Sequence, residues 1–267
     1  MNSNTLNKTK NEYWVPTNNK EENISFPDSH DSLFDIEEAS FWFQHRNKCI
    51  TKILKKYYPT GMFYDIGGGN GCVAKAIQDN GHSVTLIEPY EKGANNAVTR
   101  GIETVICSTI QNSGFPYNSI PAIGIFDVLE HIQDDDIFLK ELNDYLEIGG
   151  KLFITVPSYQ FLWADIDKES GHYRRYTRSD LKNKLKKANF EVLYQTYFFA
   201  LLPIPIYFFR TLPSRFKIKK KGKENLNEHI HPMLKHILNL YSKIESSIMN
   251  ITSLPFGGSC LVVARKK

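Results

Sequence analysis

The sequence of 267 residues lacks several features that mark whole classes of protein. It has only four cysteines (Cys49, Cys72, Cys107 and Cys260), which lie far apart and form no C-x-x-C pair. This spacing disfavours a zinc site or a disulfide framework, so we expect no metal and a reducing compartment. No apolar run reaches the ~20 residues that span a bilayer, and the polar first residues lack the apolar core of a signal peptide. These absences predict a cytoplasmic protein.

A strong excess of charge is also missing. Lysine and arginine total 33 against 29 acidic residues, a net charge of +4 that is too small and too dispersed to indicate a nucleic-acid partner. The hydrophobic share of 41% is that of an ordinary globular protein, and the length suits one large α/β domain with additions.

The most informative segment that is present is a cluster of glycines from Asp65 to Gly71. Glycine permits a sharp turn and a close approach of a ligand to the backbone. A dinucleotide fold has the pattern G-x-G-x-x-G, whose third glycine would fall at Cys72. A nucleotide-sugar or NAD-dependent oxidoreductase stays open as an alternative, although Cys72 counts against it. The spacing found is D-x-G-x-G-x-G, with an acid two residues before the first glycine.

Alternating strand and helix patterns surround this turn. The predicted strands are 62–67, 83–88, 104–107, 122–128, 151–156, 190–197 and 258–264. The predicted helices are 71–80, 90–100, 134–147, 179–188 and 231–251. The alternation predicts an α/β fold with a mostly parallel sheet and helices on both faces. Ligands of such sheets bind at the carboxyl ends of the strands.

The chain divides into three parts. Residues 1–33 read as a polar, mostly irregular arm, residues 34–60 as an amphipathic helix, and residues 61–267 as the α/β domain. One hypothesis is that this helix closes over the ligand as a lid through Trp42, His45 and Arg46. For Trp42 a place in the core is an alternative.

An apolar run at 198–209, followed by basic residues up to 223, begins an insertion of about 198–250 in this domain. Two interpretations of the run stay open. Residues 198–223 either form a peripheral contact with the inner face of a membrane or are a buried connection beside a solvated run of charge.

Titratable and hydroxyl side chains follow the strand ends. Glu88 lies about 20 residues beyond the glycine turn, where an acid can accept hydrogen bonds from ribose hydroxyls. Asp65 either orients the glycine loop or simply caps the turn. Ser108 and Thr109 follow the third strand and are either ligand contacts or ordinary loop hydroxyls.

Asp127 and His131 follow the fourth strand. His131, with a pKa near neutrality, is a candidate base that removes a proton from a hydroxyl acceptor; alternatively it is a structural residue. His172, in the loop 171–178, is the next candidate base. In the same loop Tyr173, Arg174 and Arg175 either clamp an anionic or sugar-like acceptor or form a solvated face.

From about residue 40 to residue 265 the chain resembles the class I S-adenosylmethionine (SAM) dependent methyltransferases of the type 11/23 sort. The segments that carry the resemblance are 41–43 with 45–47, 65–71, 127–132, 149–150, 171–178 and 258–266. The resemblance implies a Rossmann-like sheet of seven strands with the last strand antiparallel. It also implies an N-terminal helical lid, a C-terminal helical insertion and SAM as the cofactor.

The resemblance further implies a site. The cofactor-binding residues would be Arg46, Asp65, Gly67, Gly68, Gly69, Gly71, Glu88, Ser108, Thr109 and Asp127. His131 and His172 would be catalytic, and Tyr173, Arg174 and Arg175 would bind a small or glycan- or lipid-linked acceptor. The Leu-Glu-His ending of the fourth strand favours oxygen as the acceptor atom. Two departures are the missing aspartate at the adenine position and Asn70 in the loop. A non-catalytic partner protein with this fold is a further alternative.

Overall fold

A sheet of nine strands lies at the centre of the computed structural model, which describes residues 6–17, 30–216 and 232–267. The strands are β1 (Leu6–Lys8), β2 (Trp14–Pro16), β3 (Met62–Ile66), β4 (Ser83–Glu88), β5 (Thr104–Cys107), β6 (Ile120–Phe126), β7 (Leu146–Pro157), β8 (Phe190–Phe198) and β9 (Ser259–Lys266). Their order across the sheet is β1-β2-β5-β4-β3-β6-β7-β9-β8.

The central strands are parallel, and β9 is antiparallel to both of its neighbours, β7 and β8. Strand β3 lies in the middle, where Asp65 pairs with Leu86 of β4 and with Gly124 of β6. All seven strands expected from the sequence are present, but the sheet is two strands wider than expected.

The two additional strands come from the N-terminal arm. Residues 6–17 fold into the hairpin β1–β2, which joins the sheet where Trp14 pairs with Ile106 of β5. Leu6 and Tyr13 of the hairpin are buried, so apolar contact holds it in place. The expectation of a mostly irregular arm is therefore wrong for this part, and residues 1–5 and 18–29 lie outside the described residues.

Helices cover both faces of the sheet, as expected. They are α1 (His30–Ala39), α2 (Phe41–Tyr57), α3 (Cys72–Asp79), α4 (Glu91–Thr99), α5 (Asp135–Tyr145), α6 (Asp165–Glu169), α7 (Arg178–Lys187), α8 (Pro203–Ile206), α9 (Leu212–Arg215) and α10 (Pro232–Ile251). One core cluster packs α5 and α7 against the sheet, and a second packs α2, α3 and α4 against it. The single N-terminal helix expected from residue 34 is two helices, α1 and α2, that meet at Ser40.

The insertion after β8 consists of α8, a π-helical turn at Tyr207–Thr211, α9 and then α10, which packs against α2. The basic residues 217–223 of the predicted membrane contact lie outside the described residues. Within the described chain, none of the helices has both the length and the apolar character needed to cross a bilayer.

Candidate active site

The glycine loop joins the end of β3 to the start of α3. Gly67, Gly69 and Gly71 have φ angles of +68°, +53° and +77°, a region that L side chains rarely adopt. At Gly68 the constraint is space, because a Cβ there would lie 2.7 Å from the Leu86 side chain. Each glycine of the motif is thus required by local geometry.

Glu88 holds this loop from the end of β4. Its carboxylate is buried and accepts hydrogen bonds from the backbone N–H of Gly69 at 2.8 Å and of Tyr90 at 3.0 Å. Burial raises the pKa of Glu88 to about 7, although the two N–H groups oppose the shift. Each carboxylate oxygen has a second lone pair, so Glu88 can also accept hydrogen bonds from ribose hydroxyls.

Open space lies directly in front of this pair. A Cβ built on Gly69 would meet no atom of the described chain within 4 Å. The loop and Glu88 therefore form a cradle that is free of side chains, and this fits a nucleoside ligand that approaches the backbone closely.

Asp65 is buried beneath the same loop, with a carboxylate oxygen 2.9 Å from where a Gly68 Cβ would stand. Burial raises its pKa to about 7, and the guanidinium of Arg46 partly opposes that shift. Whether Asp65 orients the glycine loop or caps the turn stays a prediction.

Asp127 follows β6 and has a φ of +57°. One carboxylate oxygen accepts a hydrogen bond from Arg46 Nη1 at 2.7 Å, and the other accepts from the Thr155 hydroxyl at 3.2 Å. Arg46 thus joins helix α2 to the end of β6, and its role in a lid stays a prediction.

The other two lid candidates lie elsewhere. Trp42 stacks on Phe199 with ring centroids 4.0 Å apart. His45 is buried, hydrogen-bonded to Ser242 at 2.8 Å and paired with Glu245. Both side chains belong to the packing of α2 against the insertion, because burial between two helices is favoured over exposure at the cleft. The structure therefore places Trp42 against the core, which is one of its two alternatives, and the lid expectation is wrong for His45.

A cleft of about 460 Å³ opens at the carboxyl ends of β3, β4, β5 and β6. Seven of the predicted residues line it: Gly67, Gly69, Glu88, Ser108, Thr109, Asp127 and His131. The remaining predicted residues do not line this cleft: Arg46, Asp65, Gly68, Gly71, His172, Tyr173, Arg174 and Arg175.

His131 ends a single 3₁₀ turn, Leu129–His131, at the cleft wall. Burial, together with the neighbouring His172, lowers the pKa of His131 to about 4. The two rings are nearly perpendicular, with centroids 4.7 Å apart. The value near neutrality expected from the sequence is not found, and His131 is a neutral imidazole at pH 7.

The loop that carries His172 is held by ion pairs within the protein. The buried carboxylate of Asp167 contacts His172 Nδ1 at 3.0 Å and Arg175 Nε at 2.8 Å. Arg174 pairs with Asp135 at 2.8 Å. Both arginines therefore fasten this loop to the protein, and a role for them toward an acceptor stays a prediction.

A family model for a methyltransferase domain matches residues 46–195, which is more than half of the chain. The chain belongs to this methyltransferase family. This membership confirms the expected class I SAM-dependent methyltransferase family, whose cofactor is SAM. Among curated proteins, no sequence similar to this one is found.

Solved structures share the fold of this methyltransferase at low identity. A phosphoethanolamine N-methyltransferase 2 of Haemonchus contortus, in complex with phosphomonomethylethanolamine and S-adenosylhomocysteine, is 18% identical with a TM-score of 0.52. The alignment covers 80% of this chain but 51% of that one, so the chain spans about half the length of the nematode enzyme.

Two further structures align over most of both chains. A SAM-dependent methyltransferase from Thermotoga maritima is 18% identical with a TM-score of 0.53, over 90% of this chain and 98% of that one. The [4+2]-cyclase SpnF is 18% identical with a TM-score of 0.51, over 82% of this chain and 80% of the cyclase. At these identities the likeness shows the fold alone, and the cyclase illustrates that the fold does not fix the reaction.

Several residues that line the cleft of this methyltransferase were missed from the sequence. Tyr90 and Gln111 line one side, and Ile137, Phe138 and Glu141 of α5 line another. The sequence carries a usable signal for Ile137, because it is an apolar residue off the apolar stripe of an amphipathic helix. In the structure its side chain is 58% exposed.

Proposed function

We propose that this methyltransferase transfers the methyl group of SAM to an oxygen atom of a small or glycan- or lipid-linked acceptor. The observation that supports this most directly is the cleft that leads from the Gly69–Glu88 cradle to the neutral imidazole of His131. When bound, SAM supplies an electrophilic methyl group on a sulfonium sulfur.

The cofactor residues divide by position. Glu88 accepts hydrogen bonds from the ribose hydroxyls, while Gly69 leaves room for the ligand beside the backbone. At Gly67, which also lines the cleft, a Cβ would lie 2.9 Å from Val128. Ser108 and Thr109, which line the cleft after β5, contact the adenine end. Asp127, held by Arg46, borders the cofactor where the cleft turns toward His131.

Positioning and proton removal are what the protein contributes to the reaction. Methyl transfer is an in-line displacement, so alignment of the acceptor accounts for much of the rate enhancement. A hydroxyl acceptor must also lose its proton, and His131 is the candidate base because its side chain lines the cleft. Its pKa of about 4 makes it a weak base in the ligand-free protein, so the role rests on its position. Tyr173, half exposed next to the His131 turn, contacts the acceptor.

Calorimetry tests the cofactor assignment. The protein is titrated with SAM, with S-adenosylhomocysteine and with NAD. We expect SAM and S-adenosylhomocysteine to bind and NAD to give no heat above dilution. Absence of SAM binding would falsify the proposal, whereas binding without turnover on any fraction would favour the non-catalytic alternative.

The acceptor is found by assaying SAM turnover against cell extracts separated into lipid and water-soluble pools. With the active pool identified, His131→Ala should lower kcat by about 10²–10⁴-fold, because general-base catalysis is lost. Its SAM affinity should stay near wild type. Unchanged turnover would assign the base elsewhere, and His172→Ala is then the variant to assay.

A further inference from the structure

Helix α10 carries an apolar stripe on its outer side. Five exposed residues recur at intervals of three, four, four and three positions: Ile237, Leu240, Ile244, Ile248 and Ile251. They are between 37% and 86% exposed. This spacing places all five on one face of a helix.

The opposite side of α10 packs on the protein and is largely polar. Its buried residues include Met249 and three polar residues, Ser242, Glu245 and Ser246. Glu245 accepts hydrogen bonds from the Ala200 N–H at 2.7 Å and from the Tyr241 hydroxyl at 2.6 Å. The helix thus exposes five apolar residues while it buries three polar ones, unlike an ordinary surface helix, whose apolar face is buried.

The segment after β8 also exposes apolar residues. Residues 199 and 200 donate backbone hydrogen bonds to Glu245 of α10, and Leu201 follows with 64% exposure. Ile204 of α8 and Phe208 of the π-helical turn are 62% and 57% exposed. Isolated exposed apolar residues need no explanation, but five on one face of a single helix mark a candidate interaction site.

Positive charge borders this surface. Lys243 is exposed on α10 itself. The pKa of Lys48 on α2 is lowered mainly by burial and further by the positive charges of Lys52 and Lys243, so these three lysines lie close together. Lys52 and Lys56 reach across from α2 to Ser247 and to the Asn250 carbonyl at 2.9 and 2.8 Å. Lysines beside an apolar helix face are complementary to anionic lipid headgroups.

We propose that the outer stripe of α10, with Leu201, Ile204 and Phe208, docks on an anionic membrane surface, with the lysines of α2 and α10 at the headgroup level. The sequence predicts a peripheral membrane contact for residues 198–223 only, and this proposal adds helix α10 to that contact. It does not depend on the methyl-transfer proposal, because the stripe lies outside the cleft.

Vesicle co-sedimentation tests the proposal with the full chain. The vesicles are phosphatidylglycerol and phosphatidylcholine in equal parts, with pure phosphatidylcholine as the neutral comparison. We expect wild type to sediment with the anionic vesicles at low salt and to be released at high salt. Leu240→Glu combined with Ile244→Glu should weaken the partition at least about tenfold.

The matched control is Asn239→Glu combined with Asn250→Glu, which adds the same charge to exposed polar positions of α10. It should bind at least about threefold more tightly than the stripe variant, because it adds the same charge but keeps the apolar contact. Circular dichroism checks that each variant is folded, and calorimetry with SAM shows whether the cleft is intact.

Three outcomes overturn the proposal. Wild type can stay in the supernatant with anionic vesicles. The stripe and control variants can lose binding equally, which would make the contact purely electrostatic. Finally, sedimentation velocity can show a wild-type dimer that the stripe variant dissociates, which would assign the stripe to a second copy of the chain.

Discussion

Gly69 is required for two reasons, its backbone conformation and the open space in front of it. Its φ of +53° favours glycine, and the space in front of it belongs to the cleft. Gly69→Ala should cost about 1–2 kcal/mol of stability from backbone strain and weaken SAM binding by at least about tenfold, because the new methyl group fills the cradle. Calorimetry and thermal unfolding measure the two effects.

Gly81→Ala is the matched control. Gly81 has a φ of +91° with no described atom within 4 Å of a Cβ, and it does not line the cleft. It should lose similar stability or more, yet keep wild-type SAM affinity. An equal loss of affinity in both variants would mean that strain, and not occupancy of the cradle, weakens binding.

The buried carboxyl of Glu88 predicts a pH-dependent affinity. The pKa of Glu88 in the folded protein is raised from its ordinary 4.5 to about 7. Between pH 4.5 and pH 7 the folded protein therefore holds a proton that the unfolded chain has lost, and the folded protein loses stability as the pH rises through this range. Ribose hydroxyls favour the ionised form. SAM affinity should therefore increase about tenfold between about pH 6 and pH 8, with proton release on binding. Calorimetry in buffers of different ionisation enthalpy measures both.

Glu88→Gln identifies the titrating group. The variant should bind SAM more weakly and show little pH dependence over the same range. Asp65 also has a pKa raised to about 7 but lies outside the cleft lining. If the pH dependence survives in Glu88→Gln, Asp65 is its source.

Residues that form a local pattern could be predicted, and residues that meet only through the fold could not. The glycines and Glu88 stand at a spacing that the strand–turn–helix geometry dictates. The contact between Arg46 and Asp127 joins positions 81 residues apart, and no local pattern encodes it. The pKa of His131 likewise depends on burial and on His172, which only the folded chain brings together.

At the scale of elements, α2 and α10 are joined by a buried hydrogen bond between His45 and Glu245. Glu245→Ala should cost about 3–5 kcal/mol, because it leaves several buried polar groups without their acceptor. The exposed pair of Lys75 and Asp79 is the comparison, and Asp79→Ala should cost under about 1 kcal/mol. Urea unfolding measures both, and equal losses would contradict the assignment.

This pair also predicts sensitivity to acid. Burial raises the pKa of Glu245, but hydrogen bonds from His45, Tyr241 and the Ala200 N–H outweigh burial, so the pKa is lowered below its ordinary 4.5. A depressed carboxyl pKa gives stability that is complete above the ordinary value and is lost as the pH falls through the folded one. In Glu245→Ala this component of acid unfolding should be absent.

Long elements with clear periodicity were predicted, and short or inverted ones were not. The seven expected strands have alternating or continuous apolar runs bounded by turn residues. Strands β1 and β2 have three residues each, too few for a period to be read. Helix α10 was predicted as a helix, but its burial was not, since a polar face packs inward.

At the scale of the whole molecule, ligand binding should raise thermal stability. With SAM at about 100 times its Kd, mass action adds about 2.7 kcal/mol, which for a chain of this size raises Tm by about 5–10 °C. S-adenosylhomocysteine should act alike and NAD should have no effect. Scanning calorimetry measures the shifts, and a shift produced by NAD alone would contradict the cofactor assignment.

The hairpin β1–β2 has a consequence for the chain in solution. It lies along β5, whose outer backbone N–H and C=O groups would otherwise be available to any extended peptide. Tyr13 anchors it through its hydroxyl, which donates to Glu91 at 2.7 Å. A chain shortened past residue 17 would leave β5 as the edge strand of the sheet. We therefore expect the shortened chain to associate through β5 more readily than the full chain, in which the three-residue strand β1 forms that edge.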